Sequence, residues 1–278
     1  MAGSLRADVA LVERGLAPTR SAAQRLIAAG AVSLDRGDGP RRLAKAGDAV
    51  GAGCRLAVTA DDELRYASRG GLKLEGALRA TGVDAAGRVC IDVGQSTGGF
   101  TDCLLRAGAA CVVGVDVGHG QLHARLAGDA RVASVERFNA RGLTMAALRE
   151  ALAAPQAGPG GCIARQQVLA AGFAGFDLAV ADLSFIALAR VLGALAGVLR
   201  EHGTLLALVK PQFQAGRAAV GKGGIVRDAA VHARIEQDVR AAAVHAGLLP
   251  QAWIDSPIAG GDGNHEFFLH ATRASTTP

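Results

Sequence analysis

Residues 89–105 read VCIDVGQSTGGFTDCLL: five mostly apolar residues, a turn holding Gly94, Gly98 and Gly99, then a stretch of helical character. A run with so little polar surface must be covered on both faces, which is the environment of a strand inside a parallel sheet. A glycine-rich turn between such a strand and a helix lets the backbone come close to a ligand. Further apolar runs at 111–115, 132–135, 177–181, 204–209 and 266–269, with helical stretches between most of them, extend the pattern. From Tyr66 onward the chain is therefore expected to form an α/β domain. Its sheet should be doubly wound, with ligands at the carboxyl ends of the strands.

The turn itself excludes two ligand classes. A phosphate-cradling Walker loop needs G-x-x-x-x-G-K-[ST], because the lysine neutralises the outer phosphates and the hydroxyl holds magnesium. Gly94 and Gly99 have the glycine spacing, but Phe100 stands in place of the lysine. A second near-match, Gly216 to Lys222, has the lysine but is followed by Gly223. The dinucleotide fingerprint G-x-G-x-x-G fails because position 96 is serine. The next strand ends in Asp116, close to the interval of about 20 residues at which a ribose-binding carboxylate is expected. A nucleoside ligand with no phosphates to cradle satisfies both observations. S-adenosylmethionine in a Rossmann-like methyltransferase sheet is the expectation, against a turn that merely packs helix on strand.

Charge divides the chain. Residues 1–58 contain nine Lys/Arg and five Asp/Glu, so they carry +4 of a formal total of +5. A small basic module suits phosphate backbones. Within it Leu5, Val9, Val12 and Leu16 recur at helical spacing, and the pattern breaks at Pro18 and restarts. Ala23, Leu26 and Ile27 are expected to face inward, with Gly30 as a C-terminal cap. AVSLD and CRLAVTA read as short strands around a turn-rich DRGDGPRR. Two short helices and a small sheet, with RSAAQRLIAAGAVSLDR at their centre, resemble the RNA-binding domain named after ribosomal protein S-four. Residues 1–59 are assigned to this α+β module and the polar 60–66 to a linker. Residues 67–274 are assigned to the α/β domain.

Other bulk properties narrow the class. No apolar run approaches a membrane span, and MAGSLRADVALVERG carries charges where a signal peptide needs an apolar core. A cytoplasmic protein is expected. The five cysteines form no CxxC, so reduced thiols are expected rather than disulfides or a metal site. Residues 153–175, low in complexity, are read as a surface loop without chemistry.

Candidate chemistry lies at the strand ends. FDLAVADLSFI places Asp182 where the fourth strand leaves the sheet, and GTLLALVKPQF places Lys210 at the end of the next. GNHEFFLH sets Glu266 at the start of the last strand, and SRGGLKLEGAL sets Lys73 at the helix leading into the domain. A lone lysine is usually a surface charge, but an apolar strand ending in one needs a partner for the ammonium. The set Lys73, Asp182, Lys210, Glu266 resembles that of the FtsJ-like ribose 2′-O-methyltransferases. SRGGLKLEGAL, DVGQSTGGFTD, VDVGHGQL, ERFNARGL, VADLSFI, LVKPQF and GNHEFF, in that order, are similar to the TlyA family, over almost the whole chain. Gln95 stands where a small residue is expected, and His265 and Phe267 fall in a variable part of the last motif.

The resemblance implies methylation of a cytidine ribose 2′-hydroxyl in ribosomal RNA, with S-adenosylmethionine as donor. It implies donor contacts from Asp92, Gly94, Ser96, Thr97, Gly98, Gly99, Phe100, Asp116, Val117, Asn139 and Asp182. On the residues themselves, Lys210 is the candidate to take the hydroxyl proton, with Asp182 to align it and Glu266 to hold Lys73 or the ribose; spacing leaves open which of the two lysines is the base. Arg6, Arg14, Arg20, Arg25, Arg41, Arg42 and Arg69 are the candidates for RNA. The partner is expected to be ribosomal RNA or a ribosomal subunit, met by a monomer. Family members with a short carboxyl tail are associated with the large subunit, and this chain ends soon after the last strand. A non-catalytic RNA-binding protein and a membrane-active haemolysin are the rivals. The complete Lys-Asp-Lys-Glu set argues against the first, and the lack of a span or a long amphipathic basic helix against the second. A pseudouridine synthase would need its own aspartate motif and no nucleoside-binding turn.

Overall fold

The computed structural model describes residues 4–58, 65–154, 161–216 and 219–275. The chain forms two compact units, Met1–Arg69 and Gly70–Pro278. Of the segment read as a linker, Arg65 and Tyr66 lie among the described residues.

In the first unit, strand β1 (Leu5–Arg6) leads into helix α1 (Ala7–Glu13), and α2 (Arg20–Ala29) follows. The Thr19 side chain accepts the Ala22 N–H at α2's start, and Gly30 closes its end at φ +77°. Strands β2 (Val32–Asp35), β3 (Pro40–Arg42) and β5 (Arg55–Val58) form an antiparallel sheet ordered β3-β2-β5, while β4 (Ala49–Val50) pairs with β1. Ala23, Leu26 and Ile27 are buried as the spacing predicts. The first helix turns differently: Ala7, Ala10 and Leu11 fill the core, while Leu5 is exposed and Val9, Val12 and Leu16 are half-buried. Small alanines let α1 pack closely on α2, so the buried face is not the one carrying the bulkiest residues. Asp8 lies on that inward face, fully buried.

The second unit is built on seven strands: β6 (Val89–Val93), β7 (Cys111–Val115), β8 (Val132–Val135), β9 (Phe176–Ala181), β10 (Leu199–Val209), β11 (Leu248–Asp255) and β12 (Phe267–Arg273). Their order is β11-β12-β10-β9-β6-β7-β8. Strands β6 to β10 are parallel to one another, and β12 runs antiparallel to both β10 and β11. Every residue of β6 and β7 is buried, which accounts for their unbroken apolar character. Strand β6 has β7 on one side and β9 on the other, so the winding reverses there and leaves a crevice at the carboxyl edge. Helix α3 (Gly70–Thr81) precedes the sheet, and α4 (Gly99–Arg106) follows the glycine turn.

Two expectations need correction. Strand β11 was not predicted, because LLPQAWID carries Pro250 and alternates buried and exposed residues irregularly. Within 153–175 the structure has a helix, α5 (Cys162–Leu169), where a surface loop was expected. Ala164 and Val168, four residues apart, are fully buried. Residues 155–160 of that segment lie outside the described ones.

Candidate active site

Positive φ angles and close backbone approaches shape the glycine turn. Gly94 has φ +92°, and a Cβ there would lie 2.4 Å from the Asp182 carbonyl oxygen. Gly98, at φ +91° before α4, faces Leu126 Cδ1 at the same 2.4 Å from a built Cβ. Ser96 takes φ +47°, and its N–H donates to Asp116 Oδ2 at 2.8 Å. Gly118 N–H donates to Asp116 Oδ1 at 2.7 Å. Asp116, immediately past β7, thus ties that strand's end to the turn after β6.

Above this edge lies a cavity of about 550 Å³, a volume suited to a nucleoside-sized ligand. Gly94, Ser96, Asp116, Val117, Asn139 and Asp182 line it. Phe138, Leu183 and Ile186 give it apolar walls. A carboxylate at the strand end, apolar surfaces for a base and a backbone approach that excludes a Cβ fit an adenosyl methyl donor. Thr97, Gly98, Gly99 and Phe100 are not in its wall. They shape the turn and the start of α4, where Phe100 is buried with its ring 6.0 Å from that of Phe268. Asp92 is fully buried within β6. Burial pushes its carboxyl up to about 7 against the Thr101 hydrogen bond, and the charges of Asp182 and Asp116 add to the rise.

The four strand-end and helix residues meet in two ion pairs. Lys73, in the first turn of α3, places Nζ 2.5 Å from Glu266 Oε2. Lys210, between β10 and Pro211, places Nζ 2.5 Å from Asp182 Oδ1 and donates to Ser184 Oγ at 2.9 Å. The approach to Asp182 lies off the hydrogen-bonding direction, so it is a charge contact rather than a directed bond. Glu266 is 3% exposed, and burial raises its carboxyl above the usual carboxylate range. Lys73 and Lys210 both oppose that rise while Asp182 adds to it, so the two pairs share one electrostatic environment. Since Asp182 also lines the cavity, the cluster sits beside it.

Several site features were not legible. Phe185 is 90% exposed at φ +62°, at the mouth of the cavity, with its ring 5.2 Å from that of Phe213. Its place in ADLSFI, just past a strand end, was the available signal; its backbone strain was not. Gln95 is buried and bonded to Thr101 and Ser134.

The arginines proposed for RNA have structural duties too. Arg6 and Arg20 both donate to Asp8, whose carboxyl lies well below the usual range because of Arg6, Gln24 and Arg20. Both guanidinium side chains remain more than half exposed. Arg14 donates to the Cys54 and Gly51 carbonyls, and Arg41 pairs with Asp38. Arg42 reaches to Gly30, and Arg25 and Arg69 also have interaction partners.

Comparison with known proteins places the chain in a family. Residues 66–273 match the FtsJ-like methyltransferase family and residues 5–36 the S4 domain. The chain is 43% identical over 269 residues to the 16S/23S rRNA (cytidine-2′-O)-methyltransferase TlyA of Mycobacterium tuberculosis, covering 97% of this chain and 90% of that protein. It is 31% identical to Hemolysin A of Brachyspira hyodysenteriae over 96% of this chain and 99% of the relative. Among solved structures, a Streptococcus thermophilus protein described as a hemolysin superposes with a TM-score of 0.70 at 37% identity, covering 99% of this chain and 90% of that one. The chain is an enzyme of the FtsJ-like methyltransferase family and belongs, with TlyA, to the members that carry an N-terminal S4 domain.

Proposed function

We propose that this protein transfers a methyl group from S-adenosylmethionine to the ribose 2′-hydroxyl of a cytidine in ribosomal RNA. The observation that carries the reading is the Lys210–Asp182 pair at the rim of the donor cavity, beside the buried Lys73–Glu266 pair. When bound, the donor supplies an electrophilic methyl group on a sulfonium. Asp116 and the 94–99 turn hold its ribose and amino-acid ends. A ribose hydroxyl is a weak nucleophile, so the protein must orient it and take its proton as the new O–C bond forms. Lys210 can receive that proton only in its free-amine form; Ser184, which accepts its hydrogen bond, fixes the direction of its nitrogen, and Asp182 holds it by charge. Glu266 holds Lys73 in place. Phe185 offers an aromatic face for the target base, since RNA bases are commonly held by stacking once unpaired. The basic N-terminal unit captures the RNA.

Single-turnover methylation of isolated large and small ribosomal subunits, with the modified nucleotide mapped, tests the reading. Lys210→Ala should lower the rate by about 10²–10⁴-fold, the usual worth of a general base, while RNA binding is retained. Lys210→Arg should not restore it, because a guanidinium stays protonated. An active arginine variant would make the pair with Asp182 structural and end the base assignment. Failure of the wild type to methylate either subunit would remove ribosomal RNA as substrate. The 31% identity to Hemolysin A supplies the rival reading, a membrane-active protein. Among the described residues, no helix is long and apolar enough to cross a membrane.

A further inference from the structure

Under the donor turn, four side chains from β6, the turn, α4 and β8 form one hydrogen-bonded chain. Ser134 Oγ, in β8, donates to Gln95 Oε1 at 2.7 Å. Gln95 Nε2 donates to Thr101 Oγ1 at 3.0 Å, and Thr101 Oγ1 donates to Asp92 Oδ2 at 2.7 Å. The direction follows from the groups. An amide nitrogen can only donate, so Gln95 occupies an acceptor position of the Thr101 hydroxyl. The single hydroxyl proton then points to Asp92. Gln95, Thr101 and Asp92 are all buried, and among the described residues Asp92 Oδ1 has no hydrogen-bond partner. Gln95 has room because residue 114 is glycine: a Cβ there would stand 1.9 Å from Gln95 Cδ.

We propose that Gln95 is a positioning residue for the methyl donor. Through Thr101 it holds Asp92 as a hydrogen-bond acceptor, and the resulting negative charge beneath the turn favours the cationic donor. The proposal rests on the reading of the cavity as a methyl-donor site. The charges acting on Asp92 are Asp182 at the end of β9 and Asp116 at the end of β7, and α4 contributes the Thr101 side chain and backbone N–H. Asp102, also on α4, is paired with Arg106 and Arg125, while Lys73 and Glu266 are paired with each other. Both strand-end carboxylates disfavour ionisation of Asp92, so the Thr101 hydrogen bonds must offset them. With Asp92 titrating at about 7, donor binding is linked to loss of its proton.

The affinity of the intact protein for S-adenosylmethionine, measured by calorimetry from about pH 5 to pH 7, tests this. That range lies below the titration of an ordinary α-amino group at about 7.7–8.0, so the donor keeps its charge. Wild-type affinity should rise across the range. Gln95→Glu preserves shape but accepts at Thr101, turning the hydroxyl proton away from Asp92. It should shift the curve upward by at least about one pH unit, which is about fivefold weaker binding at pH 7 and about tenfold at pH 5. Gln95→Leu should shift it in the same direction by less. Thr101→Val removes the donor while leaving Gln95 in place, and should reproduce the Gln95→Glu shift even if the Gln95 variants fold poorly. Titration of the Asp92 carboxyl carbon by NMR in the donor-free protein should move with the same variants. Weaker donor binding with the NMR midpoint of Asp92 unmoved would make Gln95 a packing residue and overturn the proposal. A wild type that binds no donor at any pH would overturn the methyl-donor reading and this inference with it.

Discussion

Four charged side chains gathered in one largely buried cluster are tolerable only because each has a partner. Lys73 and Glu266 show the principle most clearly, with side chains 10% and 3% exposed. Glu266→Gln would leave a buried ammonium uncompensated, and breaking such a pair typically costs about 3–5 kcal/mol. Replacing both partners, Lys73→Met with Glu266→Leu, should recover most of that stability and none of the activity. Urea unfolding of the single and double variants checks the first half, and single-turnover methylation the second. Asp92 adds a pH signature of its own. Its folded carboxyl is raised by burial to about 7, above an unfolded value of about 3.9. Its contribution is therefore fully present below about pH 4 and lost as pH rises through about 7, at up to about 1.4 kcal/mol per pH unit. Asp92→Asn should remove that loss, so in the donor-free protein it should be more stable than wild type at neutral pH. Parallel pH–stability curves for the two proteins would exclude this account.

At the scale of elements, legibility followed the physics of burial. The parallel strands β6, β7, β8, β9 and β10 were readable because covered strands carry apolar runs, and the strand ends then located Asp116, Asp182 and Lys210. Strand β11 was hidden because an edge strand needs neither an apolar run nor strict alternation. The α5 helix was hidden by an alanine- and glycine-rich surrounding that looks like loop, although two buried residues at i and i+4 were available as a signal. What spacing could not give was side-chain pairing: that Lys73 meets Glu266 and Lys210 meets Asp182 depends on how α3 and β12 pack. The inward face of α1 was misread for a related reason, since alanines and a buried Asp8 fill it. That aspartate carries its own prediction. Its folded carboxyl is depressed, so it stabilises the α1–α2 pair fully above the unfolded value of about 3.9 and loses that effect as pH falls below it. Asp8→Ala should lower the stability of the N-terminal unit at neutral pH, and circular-dichroism melts of the two proteins should converge in acid. A gap unchanged by pH would mean that packing, not charge, is responsible.

For the molecule as a whole, the division of labour follows the division of charge. The first unit has its own core of small and branched apolar residues around Leu11, Leu26 and Ile27, and the second a separate core built on the seven-stranded sheet. The charge excess of +4 belongs to residues 1–58, whereas the rest of the chain carries +1. Binding to a phosphate backbone releases counterions in proportion to the contacts made, with a slope of about −0.7 per contact in log K against log salt for single strands and about −0.9 for duplex DNA. The pairing of Arg6 and Arg20 with Asp8 does not remove them from this role, because more than half of each side chain remains exposed. Deleting residues 1–58 should therefore leave a folded methyltransferase unit that binds the donor with unchanged affinity. Its RNA affinity should fall at least tenfold, and its salt slope should be shallower than that of the intact protein. Donor binding by calorimetry and RNA binding across a salt series measure the two consequences separately. A truncated protein that keeps both the affinity and the slope would assign RNA capture to the catalytic unit and give the basic module another task.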